Sequence, residues 1–194
     1  MLNIPNILTL LRILAIPLFI AAYYSGASWG HMLATVLFVL AAITDWFDGY
    51  LARKLDQSSP FGAFLDPVAD KLMVGAALVL LVADRGNHTL SLQSELFTLM
   101  VLIIISRELT VSALREWMAE LGKRANVAVS YIGKFKTTAQ MTAIPFLLYR
   151  DDLLGLPVFR IGEVLLYLAA ALTLWSMLIY LRAAWPEMRK PTGK

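Results

Sequence analysis

The stretch from residue 30 to residue 83 reads GHMLATVLFVLAAITDWFDGYLARKLDQSSPFGAFLDPVADKLMVGAALVLLVA. It contains two largely apolar segments, at about residues 30–53 and 61–83, which are joined by the short turn DQSSP. Each segment exceeds the roughly 20 residues that a helix needs to cross the hydrocarbon core of a bilayer. The stretch therefore predicts a pair of membrane-spanning helices rather than part of a soluble domain.

The composition of the whole chain agrees with this interpretation. Of the 194 residues, 59% are hydrophobic and only 16% are charged, and the mean hydropathy is +0.67. Soluble domains are usually about 45–50% apolar and about 25% charged. This composition excludes intrinsic disorder, which requires low hydrophobicity, and too few polar residues remain for a large extramembrane domain. We therefore expect residues 1–194 to form a single membrane domain.

Six apolar segments follow one another along the chain. They lie at about residues 7–25, 30–53, 61–83, 93–120, 131–150 and 159–185. Most lysines and arginines lie near the connectors after the second and fourth segments and in the tail, so the positive-inside rule places both termini in the cytoplasm. We expect an all-α polytopic membrane protein with six transmembrane helices. The polar opening stretch, which includes Asn6, Thr9 and Arg12, is also a candidate for a short N-terminal interfacial helix.

The chain has no cysteine and only two histidines, so thiolate and histidine-rich metal sites are excluded. Any metal ion would be held by oxygen ligands, which magnesium, calcium and manganese prefer. The net charge of +3 reflects basic residues that orient a membrane chain. We therefore expect no nucleic-acid partner.

Four aspartates lie within the quoted stretch, where charged groups are expensive and usually face a functional polar cavity. Asp45 and Asp48 are three residues apart, and Asp66 and Asp70 are four apart, so each pair shares one face of its helix. The short turn predicts that the two helices pack antiparallel and that the carboxylate pairs meet. Carboxylates this close need either protonation or divalent cations between them. Arg12, inside an apolar run, is a further candidate for the same cavity.

A structural interpretation competes with the functional one at several of these positions. Asp48 and Asp70 could pair with Arg53 and Lys71 as ordinary interfacial charges. Four carboxylates at helical spacing on adjacent spans favour a polar site instead. The small residues among them, such as Gly62, either allow close helix packing or leave room for a ligand.

The motif itself resembles a known family signature. The residues read D-W-F-D-G-Y-L-A-R, then eight residues, then G-A-F-L-D-P-V-A-D. This resembles the signature of the CDP-alcohol phosphotransferases, DxxDGxxAR, eight residues, GxxxDxxxD, with every fixed position present. The segments NIPNILTLLRI, SRELTVSALREWMAELGKR and GKFKTTAQM extend the resemblance over most of the chain. They are similar to the bacterial branch of the family that uses sn-glycerol 3-phosphate as the acceptor.

The resemblance implies an activity, a location and partners. The expected reaction transfers the phosphatidyl group of CDP-diacylglycerol to sn-glycerol 3-phosphate, giving phosphatidylglycerol phosphate and CMP. The expected enzyme is a multi-pass homodimer of the bacterial inner membrane, in contact with membrane lipid. Its active site would face the cytoplasm and hold two Mg²⁺ or Mn²⁺ ions.

The resemblance also implies roles for individual residues. Asp45, Asp48 and Asp66 would hold the metal ions, and Asp70 would be the general base and also touch the second ion. The CDP moiety would be lined by Gly49, Arg53 and Gly62. Candidates for binding the acceptor phosphate are Arg107, Arg115, Lys134 and Lys136. For Arg107 the alternative is a buried pair with Glu108, and for the two lysines it is an ordinary positive-inside role.

Other functions remain open from the sequence. Within the same family the acceptor could be serine, inositol phosphate or phosphatidylglycerol, because the signature identifies only the CDP donor. From other classes, an ion or proton transporter also carries intramembrane carboxylates, but usually near the bilayer midplane on broken helices. A non-catalytic membrane scaffold would have no reason to gather four carboxylates.

Overall fold

A computed structural model describes residues 3–54, 59–84, 94–123 and 131–189 of the chain. Within these ranges the fold is all-helical, with one isolated bridge between Leu153 and Leu156. The helices are α1 (Ile4–Tyr23), α2 (Gly30–Lys54), α3 (Pro60–Ala83), α4 (Ser94–Glu120), α5 (Tyr131–Tyr149) and α6 (Val158–Met188). Each predicted apolar segment coincides with one helix to within a few residues, so the all-α prediction is confirmed.

Local sequence explains where several helices begin and end. Ser59 caps α3 by accepting a hydrogen bond from the Gly62 amide at 3.0 Å, and Pro60 occupies the first turn, where no amide hydrogen is needed. At the end of α4, Gly122 adopts a φ of +70°. The Lys123 amide then donates to the Met118 carbonyl at 2.8 Å. This Schellman arrangement favours glycine because of the left-handed backbone.

Among the helices that the structure describes, three are long and apolar enough to cross a membrane. The qualifying segments are Asn6–Tyr23, Glu95–Glu120 and Val158–Met188, and a shorter apolar helix segment runs from Gly30 to Asp45. Large apolar side chains such as Leu14, Leu18 and Trp175 are more than 60% exposed. A water-soluble protein rarely presents so much apolar surface, so the helices are suited to a lipid environment.

The chain divides into two compact units, of which the first comprises Met1–Leu90 and Met141–Glu163. In this unit α1 packs against both α2 and α3, whereas α2 and α3 share few contacts in the part that the structure describes. The expected meeting of the two carboxylate pairs falls near the turn between α2 and α3, where residues 55–58 and the side chains of residues 48–53 lie outside the described set, so it stays a prediction.

A cluster of polar side chains lies at one end of the first unit. The Tyr23 hydroxyl donates to Asp84 Oδ2 at 2.8 Å, and Arg150 Nη1 donates to the same oxygen at 3.1 Å. The His31 ring packs edge-on against Tyr23, with ring centroids 4.6 Å apart. This cluster joins the ends of α1, α3 and α5 to the start of α2.

The second unit comprises Ser91–Gln140 and Val164–Lys194. Its core combines side chains of α4 and α6: Val111, Leu114, Met118, Tyr180 and Ala184. An ion pair between Lys123 and Glu187 joins the end of α4 to the end of α6.

The expectation of a separate interfacial helix at the N-terminus is wrong. The first helix is continuous from Ile4 to Tyr23. Asn6, Thr9 and Arg12 are buried, with 2%, 0% and 3% of their surface exposed. The physical reason is that their polar groups bind side chains of α2 and α3 instead of facing lipid headgroups or water.

Candidate functional site

Asp45 of α2 is held by an arginine on α1. The Arg12 guanidinium forms an ion pair with the Asp45 carboxylate through Oδ1. The arginine side chain is 2% exposed, whereas the aspartate side chain is 43% exposed. A buried cation needs a charged partner, so this contact fixes the carboxylate against α1 while leaving it open to solvent or a ligand.

Asp66 of α3 is held by a threonine on α1, the helix that also carries Arg12. The Thr9 hydroxyl donates a hydrogen bond to Asp66 Oδ1 at 2.8 Å. Thr9 is fully buried, and buried hydroxyl groups in proteins almost always have a hydrogen-bond partner. The α1 face that carries Thr9 therefore also fixes the second carboxylate.

Asn6 continues this pattern at the start of α3. Its Nδ2 donates to Ser59 Oγ at 3.0 Å, and Ser59 in turn caps the helix at Gly62. A Cβ atom at position 62 would lie 2.5 Å from Asn6 Oδ1. A side chain at this position would displace the buried Asn6 amide, so Gly62 favours the close approach of α1 and α3, which is the packing interpretation left open by the sequence.

We call Asn6, Thr9 and Arg12 the α1 polar stripe. These residues follow one another at intervals of three, so they lie along one face of the helix. Sequence reasoning named Arg12 as a candidate for the cavity but missed Asn6 and Thr9 as partners of the motif. The available signal was polar residues at helical spacing within an otherwise apolar span, which usually mark a polar interior.

The remaining motif residues are described to different extents. Asp70 is exposed on α3, one turn beyond Asp66. Asp48, Gly49 and Arg53 lie on α2, but the surroundings of their side chains are outside what the structure describes. The backbone of α2 places Asp48 on the same face as Asp45, as expected from their spacing.

The carboxylates of the motif and the hydroxyl of Thr9 are oxygen donors, which hard divalent cations prefer. Among the side chains that the structure describes, no group of three Asp, Glu or His residues is close enough to hold a metal ion. Asp48, one of the four expected ligands, is not among them. The predicted metal ligands therefore stay predictions.

Two of the candidate acceptor-binding cations are buried in the second unit. Arg107 Nη2 donates to Ser176 Oγ at 2.8 Å, and its guanidinium lies 5.6 Å from the centre of the Tyr180 ring. Lys136 forms an ion pair with Glu108, and Arg107 Nη1 lies 3.4 Å from the same carboxylate oxygen. Glu108 thus binds both cations, and the alternative interpretation of Arg107, a pair with Glu108, is present in the structure.

The other two candidate cations are less defined. Arg115 is half-buried on α4, about two turns beyond Arg107. Lys134 lies on α5, with its side chain outside the described set. Their predicted role in binding phosphate stays a prediction.

Comparison with known proteins identifies the family. The sequence profile of the family described as CDP-alcohol phosphatidyltransferase matches residues 2–175. The chain is 53% identical over 188 residues to a CDP-diacylglycerol–glycerol-3-phosphate 3-phosphatidyltransferase of Pseudomonas fluorescens, covering 96% of this chain and 92% of the relative. It is 52% identical over 189 residues to a protein of the same name from Pectobacterium atrosepticum, covering 97% and 98%. The resemblance inferred from the motif is confirmed, and the chain belongs to the CDP-alcohol phosphatidyltransferase family.

Proposed function

We propose that the protein transfers the phosphatidyl group of CDP-diacylglycerol to sn-glycerol 3-phosphate, releasing CMP and forming phosphatidylglycerol phosphate. The observation that carries this proposal is the identity of 52–53% to relatives named for that reaction, over 92% and 98% of their length. The intact DxxDGxxAR…GxxxDxxxD motif supports the use of a CDP-linked donor.

The proposed enzyme crosses the bacterial inner membrane six times, with both termini and the active site in the cytoplasm. Besides the three qualifying helices, α2 and α3 have 25 and 24 residues. The shortest helix, α5, has 19 residues and would extend about 28 Å at about 1.5 Å per residue, close to the roughly 30 Å of a hydrocarbon core. The distribution of lysine and arginine supports the orientation.

In this proposal the four motif carboxylates hold two divalent cations, Mg²⁺ or Mn²⁺. When bound, such ions neutralise charge on the attacking and leaving oxygens of a phosphoryl group. The ligands would be Asp45, Asp48, Asp66 and Asp70. Arg53 would add a bidentate grip on the diphosphate, and Gly49 would let CDP approach the helix backbone, whereas the backbone at Gly62 is covered by Asn6.

Asp70 acts as the general base in the proposed reaction. Its carboxylate accepts the proton of the acceptor's primary hydroxyl, and that oxygen bonds to the phosphorus on the lipid side of the diphosphate. The bond from this phosphorus to the bridging oxygen breaks, and CMP leaves with that oxygen. The exposed position of Asp70 on α3 supports this role, since a base must reach a substrate that arrives from solution.

A groove on the first unit suits an acyl chain of the donor. Its volume is about 500 Å³, and its lining from α1 and α3 is mostly apolar. Lys71 lines it near one end and Ala83 near the other, about 18 Å apart at about 1.5 Å per residue. Lys71 directly follows Asp70, so the groove begins next to the proposed base.

Positive charge for the acceptor phosphate comes in this proposal from Arg107, Arg115, Lys134 and Lys136. The protein is also proposed to be a homodimer, which sedimentation in detergent would check. An alternative acceptor remains compatible with the motif, because the motif concerns only the donor.

Release of CMP by the purified protein tests the proposal. The protein in detergent receives CDP-diacylglycerol and Mg²⁺ with sn-glycerol 3-phosphate, serine, inositol phosphate or phosphatidylglycerol in separate reactions. We expect CMP with sn-glycerol 3-phosphate, and loss of the reaction when EDTA removes the metal. CMP release with serine alone would change only the identity of the proposed acceptor. If no acceptor yielded CMP, the enzymatic activity would be refuted and a transporter would be favoured.

A further inference from the structure

We propose that Thr9 and Arg12 are positioning residues that hold the carboxylates of Asp66 and Asp45 on one face of α1, so that the divalent-cation site is formed before substrate arrives. This inference rests on the proposed function. It concerns two residues outside the DxxDGxxAR…GxxxDxxxD motif, on a helix that the motif does not include.

The positions of Thr9 and Arg12 on α1 are the first support for this inference. Thr9 and Arg12 are one helical turn apart on α1, which places their side chains about 5–6 Å from each other at Cβ. Thr9 binds Asp66 of α3, and Arg12 binds Asp45 of α2. Since the two residues are neighbours on α1, this helix brings the Asp66 and Asp45 carboxylates to a common face.

The burial of Thr9 and Arg12 is the second support for this inference. The Thr9 side chain is fully buried and Arg12 is 3% exposed. In a buried setting a hydroxyl and a guanidinium hold their partners in a fixed orientation, since losing the partner leaves a costly unsatisfied group. Each contact uses one oxygen of its carboxylate, Oδ1. A metal ligand held in this way by an outer hydrogen bond is pre-oriented for its ion.

Charge distinguishes the two residues. Arg12 supplies a positive charge that offsets repulsion between neighbouring carboxylates, whereas Thr9 orients Asp66 without any charge. Replacing Thr9 therefore tests positioning alone, free of a change in the net charge of the site.

Binding of Mn²⁺ to the full-length protein in detergent, without any substrate, tests the inference. Free Mn²⁺ is measured by its electron paramagnetic resonance signal. For Thr9→Val, which removes the hydroxyl but keeps the shape, we expect affinity to fall about tenfold or more, the effect typical of losing a group that orients a metal ligand. Thr9→Ser restores the hydroxyl and should bind within about twofold of the unmodified protein.

Thr44→Val is the matched control. Thr44 precedes Asp45, but its hydroxyl donates to the Leu40 carbonyl of its own helix at 2.6 Å, so this variant should leave Mn²⁺ affinity unchanged. Thermal unfolding midpoints show that each variant is folded. A second measurement, the Mg²⁺ dependence of CMP release, should show a raised half-saturating Mg²⁺ concentration for Thr9→Val, with a maximal rate within about threefold.

Arg12 is tested by two substitutions. Arg12→Met should lower Mn²⁺ affinity, and Arg12→Lys, which keeps the charge, should recover most of it. Equal or tighter binding by Arg12→Met would show that Arg12 competes with the cation, and would overturn the positioning role of this residue.

The outcomes separate this inference from the proposed function. If the unmodified protein releases CMP and Thr9→Val binds Mn²⁺ as well as Thr9→Ser does, positioning by Thr9 is refuted and the function stands. If Mn²⁺ binding follows the expected order but no acceptor yields CMP, the function is refuted and positioning stands. Absence of Mn²⁺ binding in the unmodified protein would refute the preformed site.

Discussion

At the residue scale, Asp70 allows chemistry to be separated from binding. Asparagine has nearly the same shape as aspartate but cannot take up the hydroxyl proton. We expect Asp70→Asn to lower the rate of CMP release by about 10²- to 10⁴-fold, the usual contribution of a general base. Donor binding, measured by calorimetry with CDP-diacylglycerol in detergent, should change much less.

Activity of Asp70→Asn within a few fold of the unmodified enzyme would assign the proton transfer to another group. Asp152→Asn, a substitution in the exposed connector before α6, serves as the control and should leave the rate unchanged.

Gly62 gives a prediction about stability. A methyl group at this position would lie 2.5 Å from Asn6 Oδ1 and 3.2 Å from Ser59 Oγ, and both atoms belong to the contact between α1 and the start of α3. We expect Gly62→Ala to lower the free energy of unfolding by about 1–3 kcal/mol, as overpacking does. Thermal or denaturant unfolding in detergent would measure the change.

Gly75 on the same helix provides the comparison. A Cβ there meets no atom within 4 Å, so Gly75→Ala should leave stability unchanged or raise it by up to about 1 kcal/mol through helix propensity. Equal destabilisation by both substitutions would contradict the role assigned to Gly62.

At the element scale, Asp84 joins three helices of the first unit. It accepts hydrogen bonds from Tyr23 of α1 and from Arg150 at the end of α5. The Arg150 and Asp84 side chains are only 16% and 18% exposed, so solvent screens the pair less than a surface pair. We expect Asp84→Ala to lower the free energy of unfolding by about 1–3 kcal/mol. Thermal or denaturant unfolding in detergent would measure this change.

Asp152→Ala is the control for that prediction. Its exposed position predicts a change within about 0.5 kcal/mol. Rates of CMP release at saturating substrate should stay close to normal for Asp84→Ala at low temperature, because the cluster lies at the opposite end of α3 from Asp66 and Asp70. If Asp84→Ala lost activity without losing stability, the purely structural role of Asp84 would be contradicted.

At the element scale, the packing of α1 against α2 and α3 could not be predicted from the sequence. The spacing of Asp45, Asp48, Asp66 and Asp70 indicates one polar site, and the short turn predicts that α2 and α3 are neighbours, but neither predicts that α1 packs on both helices. A short turn limits where the second helix starts and does not determine which helix fills the space beside it. That choice is made by side-chain contacts, here those of the α1 polar stripe.

At the scale of the whole molecule, the absence of cysteine makes the proposed topology directly testable. Single cysteines are introduced at Ser28, Lys54 and Asp152, all of which are exposed, and labelled with a membrane-impermeant maleimide. We expect Ser28→Cys and Asp152→Cys to react in intact spheroplasts and Lys54→Cys only in inverted vesicles. The reason is that the positive-inside rule predicts the basic connectors on the cytoplasmic side.

Labelling of Ser28→Cys and Lys54→Cys from the same side would contradict a membrane crossing by α2. CMP release by each variant would show that the labelled protein is native.

The sequence by itself determined the helical class, the positions of the helices within the described ranges, and the family. These properties follow from local patterns, namely runs of apolar residues and fixed spacings within one motif, and such patterns need no knowledge of distant contacts. The sequence also indicated the four aspartates as a single group, because helical periodicity places each pair on one face.

Only the tertiary structure decided which side chains bind Asp45 and Asp66. It placed α1 against both α2 and α3, with Thr9 bound to Asp66 and Arg12 bound to Asp45. It also showed Lys136 paired with Glu108 and Gly62 packed against Asn6. These partners lie 28 to 57 residues apart in the chain. No local pattern specifies such pairings, since they depend on which helix faces exclude lipid and satisfy their buried polar groups together.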